Sequence, residues 1–236
     1  MSTFDQPLPP FNASDPSASF LNSSCLDFLL IEIVPMAYRL VNELDAADIA
    51  SSDRAAAAAS STGKDGVAAG AGTTSSSTVA GSAAGTAGAG GSSTNKLDEE
   101  EERDAVFYRL ETLGYRVGLG LVERFSRDRP RFNDTLDVIK FLCKDLWTLV
   151  FKKQIDNLKT NHRGVYVLTD NMFRPLSRMS TDAGGQAVVR AQPFLWFPCG
   201  IVRGALAALG INATVQAESI ELPGAVFQIK TIPAKS

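Results

Sequence analysis

The sequence predicts an α+β domain: helices covering one face of a four-stranded antiparallel sheet, in the order ααα-ββ-α-ββ. Three observations point there. Apolar residues recur at helical spacing in three runs before residue 152, and again between Pro193 and Ile211. Val165, Val167 and Thr169 alternate with Tyr166 and Leu168 after the turn-like "TNHRG", as a strand requires. Two more extended stretches, "NATVQAES" and "GAVFQIKTI", close the chain around a Pro223-Gly224 turn.

Not all of the 236 residues belong to that domain. Residues 1–22 read as a loose Pro- and Ser-containing tail, and a single domain is expected over 23–236. A tract of Ala, Gly, Ser and Thr at about 46–97 interrupts it. That tract has too little bulky apolar surface to offset the ~1–2 kcal/mol per residue of backbone entropy lost on folding, so disorder is expected there.

The first helix is "CLDFLLIEIVPMAYRLVNEL", Cys25 to Leu44. Leu26, Leu29, Leu30, Ile33, Ala37, Leu40 and Leu44 make one stripe, and Phe28, Ile31, Met36 and Tyr38 widen it beyond one face. A helix apolar over most of its girth needs cover on more than one side. Pro35 is expected to kink or divide it. After the tract, "LDEEEER" opens a second helix, where negative charge suits the N-terminal dipole. Its stripes run through Ala105, Tyr108 or Arg109, Thr112, Tyr115, Leu119, Val122 and Phe125, and through Val106, Leu110, Leu113, Val117 and Leu121. Gly114, Gly118 and Gly120 are not a phosphate loop: no strand precedes them and no Gly-Lys-Ser/Thr follows. Glycines four apart on a helix instead let another backbone approach closely. The third helix lies in "FNDTLDVIKFLCKDLWTLVF", capped by Asn133 or Asp134, with Leu136, Ile139, Leu142 or Cys143, Leu146 and Leu149 or Val150 inward.

"PFLWFPCGIVRGALAALGI" supplies the last helix. It barely reaches the ~20 residues of a membrane span, and Arg203 at its centre would cost ~2.5–3.5 kcal/mol in lipid. Gly200 and Gly204 permit close approach, and Pro198 is expected to start or kink the regular part. Arg203 is expected first in a salt bridge or carbonyl cap, and second in a partner contact.

A net charge of −3 gives no polyanion-binding signal. The locally basic Lys140–Arg163 segment carries no nucleic-acid motif, so no nucleic acid is expected. Cys25, Cys143 and Cys199 form no CxxC pair, and no basic-then-apolar leader opens the sequence. A reducing, cytosolic setting is expected. The N-x-S/T matches at Asn12, Asn22, Asn133 and Asn212 are then chance. His162, the single histidine, falls on a turn with no second ligand near it in sequence. No metal, cofactor or catalytic residue is expected: a nucleophilic cysteine needs an adjacent base.

"RFNDTLDVIKFLCKDLWTLVFKKQIDNLKTNHRGVYVLTDNMFR" resembles the signature of the small subunits of TRAPP, the transport protein particle. The similarity is to the subunit-six branch of the Bet-three-like family. "LETLGYRVGLGLVERF", "CGIVRGALAALGI" and "FLLIEIVPMAY" fit the same family, so the resemblance covers about 24–44 and 104–231. It implies a non-enzymatic core subunit that heterodimerises with a Bet-three-type subunit. It implies contact with other TRAPP subunits in a vesicle-tethering particle that activates Rab-type GTPases in ER-to-Golgi and Golgi transport. The chain would then be cytoplasmic, and peripheral at Golgi or ER-derived vesicles through the complex only. The tract at 46–97 is foreign to the family core, and Pro198 stands where the family commonly has another residue. The partner's acylated cysteine has no counterpart in "SRDRPRF", so no acylation by that route is expected.

A subunit without chemistry acts through buried surface, roughly 800 Å² per partner in a stable pair. The wide stripes of the first two helices are suitable material, and Leu29, Ile33, Val117 and Leu121 are expected at or near the contact. A different function on the same fold is enclosure of a lipid acyl chain between helices and sheet; a core filled by side chains is its alternative.

Overall fold

The computed structural model describes residues 22, 24–61, 98–127, 129–161, 163–179 and 184–232. Most of the expected N-terminal tail, the tract beyond Ser61 and His162 lie outside the described residues. The chain divides into two units, Met36–Arg109 and a larger one made of Met1–Pro35 with Leu110–Ser236.

Helix α1 runs from Ser24 to Ser61 with Pro35 inside it, so the proline does not end the helix. Ile33, Val34 and Ala37 are buried on both sides of it. The helix also continues past residue 45, into the tract where disorder was expected. The reason is local: 46–61 contains a run of alanines, the best helix formers, and the first glycine comes only at Gly63. Helix α2 spans Glu99–Phe125, with four glutamates in its first turn. Within the smaller unit, Ala37, Val41 and Val106 are buried, and Asn42 Nδ2 donates to Glu102 Oε1 at 2.8 Å.

The third helical stretch is not one regular helix. α3 (Thr135–Phe141) passes through a π turn (Leu142–Leu146) into α4 (Trp147–Phe151). Of the two expected caps it is Asp134, whose carboxylate accepts the Asp137 N–H at 2.7 Å. A π turn holds an extra residue and offsets the stripe that follows it. Val138, Ile139 and Phe141 face inward before it, Leu142 and Leu146 within it, and Trp147, Val150 and Phe151 after it. Leu136, expected inside, is exposed. The Cys143 carbonyl accepts from Ile155 N at 3.1 Å, tying the turn to the chain that leads into the sheet.

The sheet is antiparallel, in the order β1-β2-β4-β3. Its strands are β1 (Asn157–Thr160), β2 (Val165–Asp170), β3 (Ala213–Glu218) and β4 (Ala225–Thr231). Gly164, at φ 78°, supplies the left-handed residue between β1 and β2. In register, Tyr166 faces Ile229, Leu168 faces Phe227 and Asp170 faces Ala225, and all six are buried. The helices cover this face. Trp147 of α4 meets Phe227 edge-on with ring centroids 5.0 Å apart, and Phe151 and Phe173 complete the cluster. Asp170 is the one charged residue on that face. It accepts from Trp147 Nε1 at 2.8 Å, Lys153 Nζ at 2.8 Å and Met172 N at 3.1 Å. Burial opposes the charge on Lys153, but the Asp156 and Asp170 carboxylates outweigh it and hold the ammonium above the ordinary lysine range.

Between the sheet pairs, α5 (Gly184–Ala191) and a 3-10 turn (Gln192–Leu195) lead into α6 (Trp196–Ala208). α5 was not anticipated. Pro198 lies in the first turn of α6, where a proline is tolerated best, so it starts the regular helix without breaking it. α6 crosses the Leu110–Phe125 part of α2 at four glycines. A Cβ on Gly114 or Gly118 would overlap the carbonyls of Phe197 or Ile201, and one on Gly200 or Gly204 those of Glu111 or Tyr115. The two backbones touch directly.

Candidate partner-binding surface

Large apolar side chains remain uncovered on α1 and α2. In the larger unit these are Phe28 at 64 %, Leu29 at 54 % and Ile31 at 47 % exposure on α1, with Val117 and Phe125 on α2. In the smaller unit they are Met36, Leu40 and Leu44 on α1, and Phe107 and Tyr108 on α2. Of the residues expected at a partner contact, Leu29 and Val117 are exposed and Leu121 is half-buried. Ile33 is 4 % exposed and belongs to the core of its own chain. It follows Leu30 by one turn, on the face α1 turns inward, so in the isolated chain its side chain offers little surface of its own.

A cleft of about 170 Å³ opens between the start of α1 and the 3-10 turn Arg174–Leu176 that follows β2. Asp27, Leu30, Ile31, Arg174, Pro175, Ser177 and Arg178 line it. Arg174 holds Asp27 with two donors, Nε to Oδ1 at 2.7 Å and Nη2 to Oδ2 at 2.9 Å. Arg178 Nη2 stands 3.8 Å from the same Oδ2. Nothing in the sequence announced this pair, whose members lie 147 residues apart. The Arg174 hydrogen bonds hold the Asp27 carboxyl below its ordinary range against the opposing effect of burial. The contribution to stability is therefore complete above the ordinary carboxylate range and is lost as pH falls through the lowered value. Asp27→Asn should flatten the acid limb of the stability profile; urea midpoints measured from neutral pH to about pH 2 read this. An acid limb identical to wild type would remove the pair from the account.

Arg203 is spent inside the domain. Its Nε donates to Glu111 Oε1 and its Nη2 to Glu111 Oε2 at 2.7 Å, with the guanidinium 4.2 Å from the centre of the Tyr115 ring. This salt bridge between α2 and α6 flanks the glycine crossing and neutralises the one charge in the apolar run of α6. Loss of Glu111 would leave a partly buried guanidinium without its carboxylate.

The buried thiols do not form a reactive centre. Burial pushes Cys143 and Cys199 up to about 12, with Glu111 adding to the effect at Cys199, so both are protonated near neutral pH. Cys25 is exposed. Among the described residues there is no group of three or more His, Cys, Asp or Glu placed to hold a metal, and no helix is long and apolar enough to cross a membrane.

Residues 26–232 match the family model described as transport protein particle (TRAPP) component. The chain is 57 % identical over 121 residues to trafficking protein particle complex subunit 6b of Danio rerio, covering 51 % of this chain and 76 % of that one. It is 51 % identical over 120 residues to subunit 6A of Homo sapiens, covering 51 % of this chain and 74 % of the relative. A crystal structure of subunit 3 from Naegleria fowleri, covalently bound to palmitic acid, is 14 % identical with a TM-score of 0.46, over 56 % of this chain and 82 % of that one. Helices over one face of an antiparallel sheet, and a match that spans nearly every described element, place the chain in the TRAPP component family, in its subunit-six branch.

Proposed function

We propose that this chain is a non-catalytic core subunit of a TRAPP-type vesicle-tethering and Rab nucleotide-exchange particle. It pairs with a Bet-three-type subunit and supports assembly with other TRAPP subunits. It acts at Golgi and ER-derived membranes as a peripheral component held there by the complex. The observation that carries the reading is the exposed apolar surface of α1 and α2, with Phe28, Leu29, Ile31 and Val117 in the larger unit. Fully covering one such side chain contributes ~1.5–3 kcal/mol, and leaving several bare invites aggregation. The buried, protonated thiols favour a structural role over a catalytic one. The ring cluster of Trp147, Phe151, Phe173 and Phe227 occupies the space between α4 and the sheet, which favours a filled core over an acyl-chain pocket.

Size-exclusion chromatography with light scattering, on the chain alone and mixed with a Bet-three-type subunit, tests the proposal. A stable one-to-one pair is the expected result. A well-behaved monomer indifferent to that subunit would overturn it.

A further inference from the structure

The Asp27 cleft has more cation than it needs for its own structure. Arg174 already donates one hydrogen bond to each oxygen of Asp27, at 2.7 and 2.9 Å. Arg178 approaches only to 3.8 Å, beyond hydrogen-bond reach, and its side chain is 67 % exposed. Among the described residues, two guanidinium groups thus face the Asp27 carboxylate, and Arg178 is the more exposed and more distant of them. A guanidinium in this state is matched by a second carboxylate, which its planar fork grips with two parallel hydrogen bonds.

The apolar surroundings narrow the partner further. Ile31 forms part of the cleft wall and is itself 47 % exposed, while Phe28, one turn before it on the same face of α1, is 64 % exposed. Pro175 forms wall on the other side. An arginine beside exposed aromatic and aliphatic side chains is the composition of an interface centre, where apolar cover excludes water from the ion pair. A free small anion would satisfy Arg178 and leave Phe28 and Ile31 bare. A protein segment satisfies both.

We propose that this cleft receives an Asp or Glu side chain of the partner subunit, carried next to a bulky apolar residue that covers Ile31 and Phe28. The inference rests on the pairing proposed above and adds an electrostatic register to it. The apolar stripe is tolerant of sliding, whereas a carboxylate seated on Arg178 fixes one position.

Two measurements on the full chain with a Bet-three-type subunit decide it. Affinity at low salt should fall about tenfold for Arg178→Ala and further for Arg178→Glu, with the difference from wild type shrinking at high salt. Arg178 is mostly exposed and makes no hydrogen bond to Asp27, so Arg178→Ala should melt close to the wild-type temperature, and it is the variant that carries the affinity comparison. Arg178→Lys, treated with a zero-length carbodiimide, should cross-link position 178 to an Asp or Glu of the partner, located by mass spectrometry. Unchanged affinity in both charge variants, or an intact pair with no partner carboxylate joined to position 178, overturns this inference and leaves the pairing standing. Failure of the wild-type chain to pair at all overturns both.

Discussion

Gly114→Ala is expected to unfold the domain at temperatures where the wild-type protein is intact, and Gly200→Ala to do the same. The new Cβ at Gly114 would meet the carbonyl of Phe197 and the backbone of Gly200 and Ile201; at Gly200 it would meet Glu111 and Tyr115. All of these are backbone atoms. A colliding side chain can change rotamer, but a helix backbone moves only as a unit. α6 would have to lift off α2, opening the packing of Ile201, Val202, Ala205 and Leu206, each no more than 1 % exposed. Overpacking usually costs ~1–3 kcal/mol, and a collision with no soft partner falls at or above the top of that range. Gly120 is the internal control. It lies on the same helix with nothing within 4 Å of its Cβ position, so Gly120→Ala should stabilise by ~0.4–1 kcal/mol through chain entropy and helix propensity. Thermal and urea unfolding followed by circular dichroism separate the cases. A Gly114→Ala protein as stable as wild type would refute the direct backbone contact.

Leu29→Asp combined with Val117→Asp should abolish co-purification with a Bet-three-type subunit while leaving the isolated chain folded. Both positions are exposed, at 54 % and 37 %. A carboxylate there is hydrated in the free chain but would have to be buried unpaired in a pair, at a cost of several kcal/mol. That exceeds what a few neighbouring apolar contacts return. Ile33→Asp makes the opposite case. At 4 % exposure it places the charge inside the chain itself, so it should lower the melting temperature before any partner is added. Melting curves taken beside pull-downs tell the two mechanisms apart. Normal pairing by the Leu29/Val117 double variant would move the interface elsewhere on the molecule.

Sequence reasoning succeeded wherever a pattern repeats within one element. Helical spacing located α1, α2 and α6, and period-two alternation located β2, because each reports which face is buried. The glycines at 114 and 118 and at 200 and 204 were legible as close-approach sites, though the sequence could not say that they meet one another. What it missed depends on long-range geometry. Ile33 and Leu29 are equally apolar and lie on adjoining parts of one stripe; only the packed chain tells which is covered. The Asp27–Arg174 pair joins residues 147 apart with no local signature. The π turn at Leu142–Leu146 leaves no mark in composition, and Leu136, at the exposed start of α3, was placed inward by its spacing from Ile139 alone. The helical boundary of α1 was missed because averaging over the whole low-complexity tract concealed a glycine-free opening.

Asp170 has a consequence for how the domain holds together. Its partners come from three separate stretches: the indole of Trp147 on α4, the ammonium of Lys153 beyond it, and the Met172 amide past β2. A carboxylate with no solvent exposure is tolerable only when those donors arrive together. If the chain after α4 detaches from the sheet, the charge loses its counter-ion in a medium that screens it poorly. Partly opened forms are therefore penalised more steeply than lost apolar contact alone would dictate. One buried acid thus makes the helix, the strand and the following loop separate as a single cooperative block.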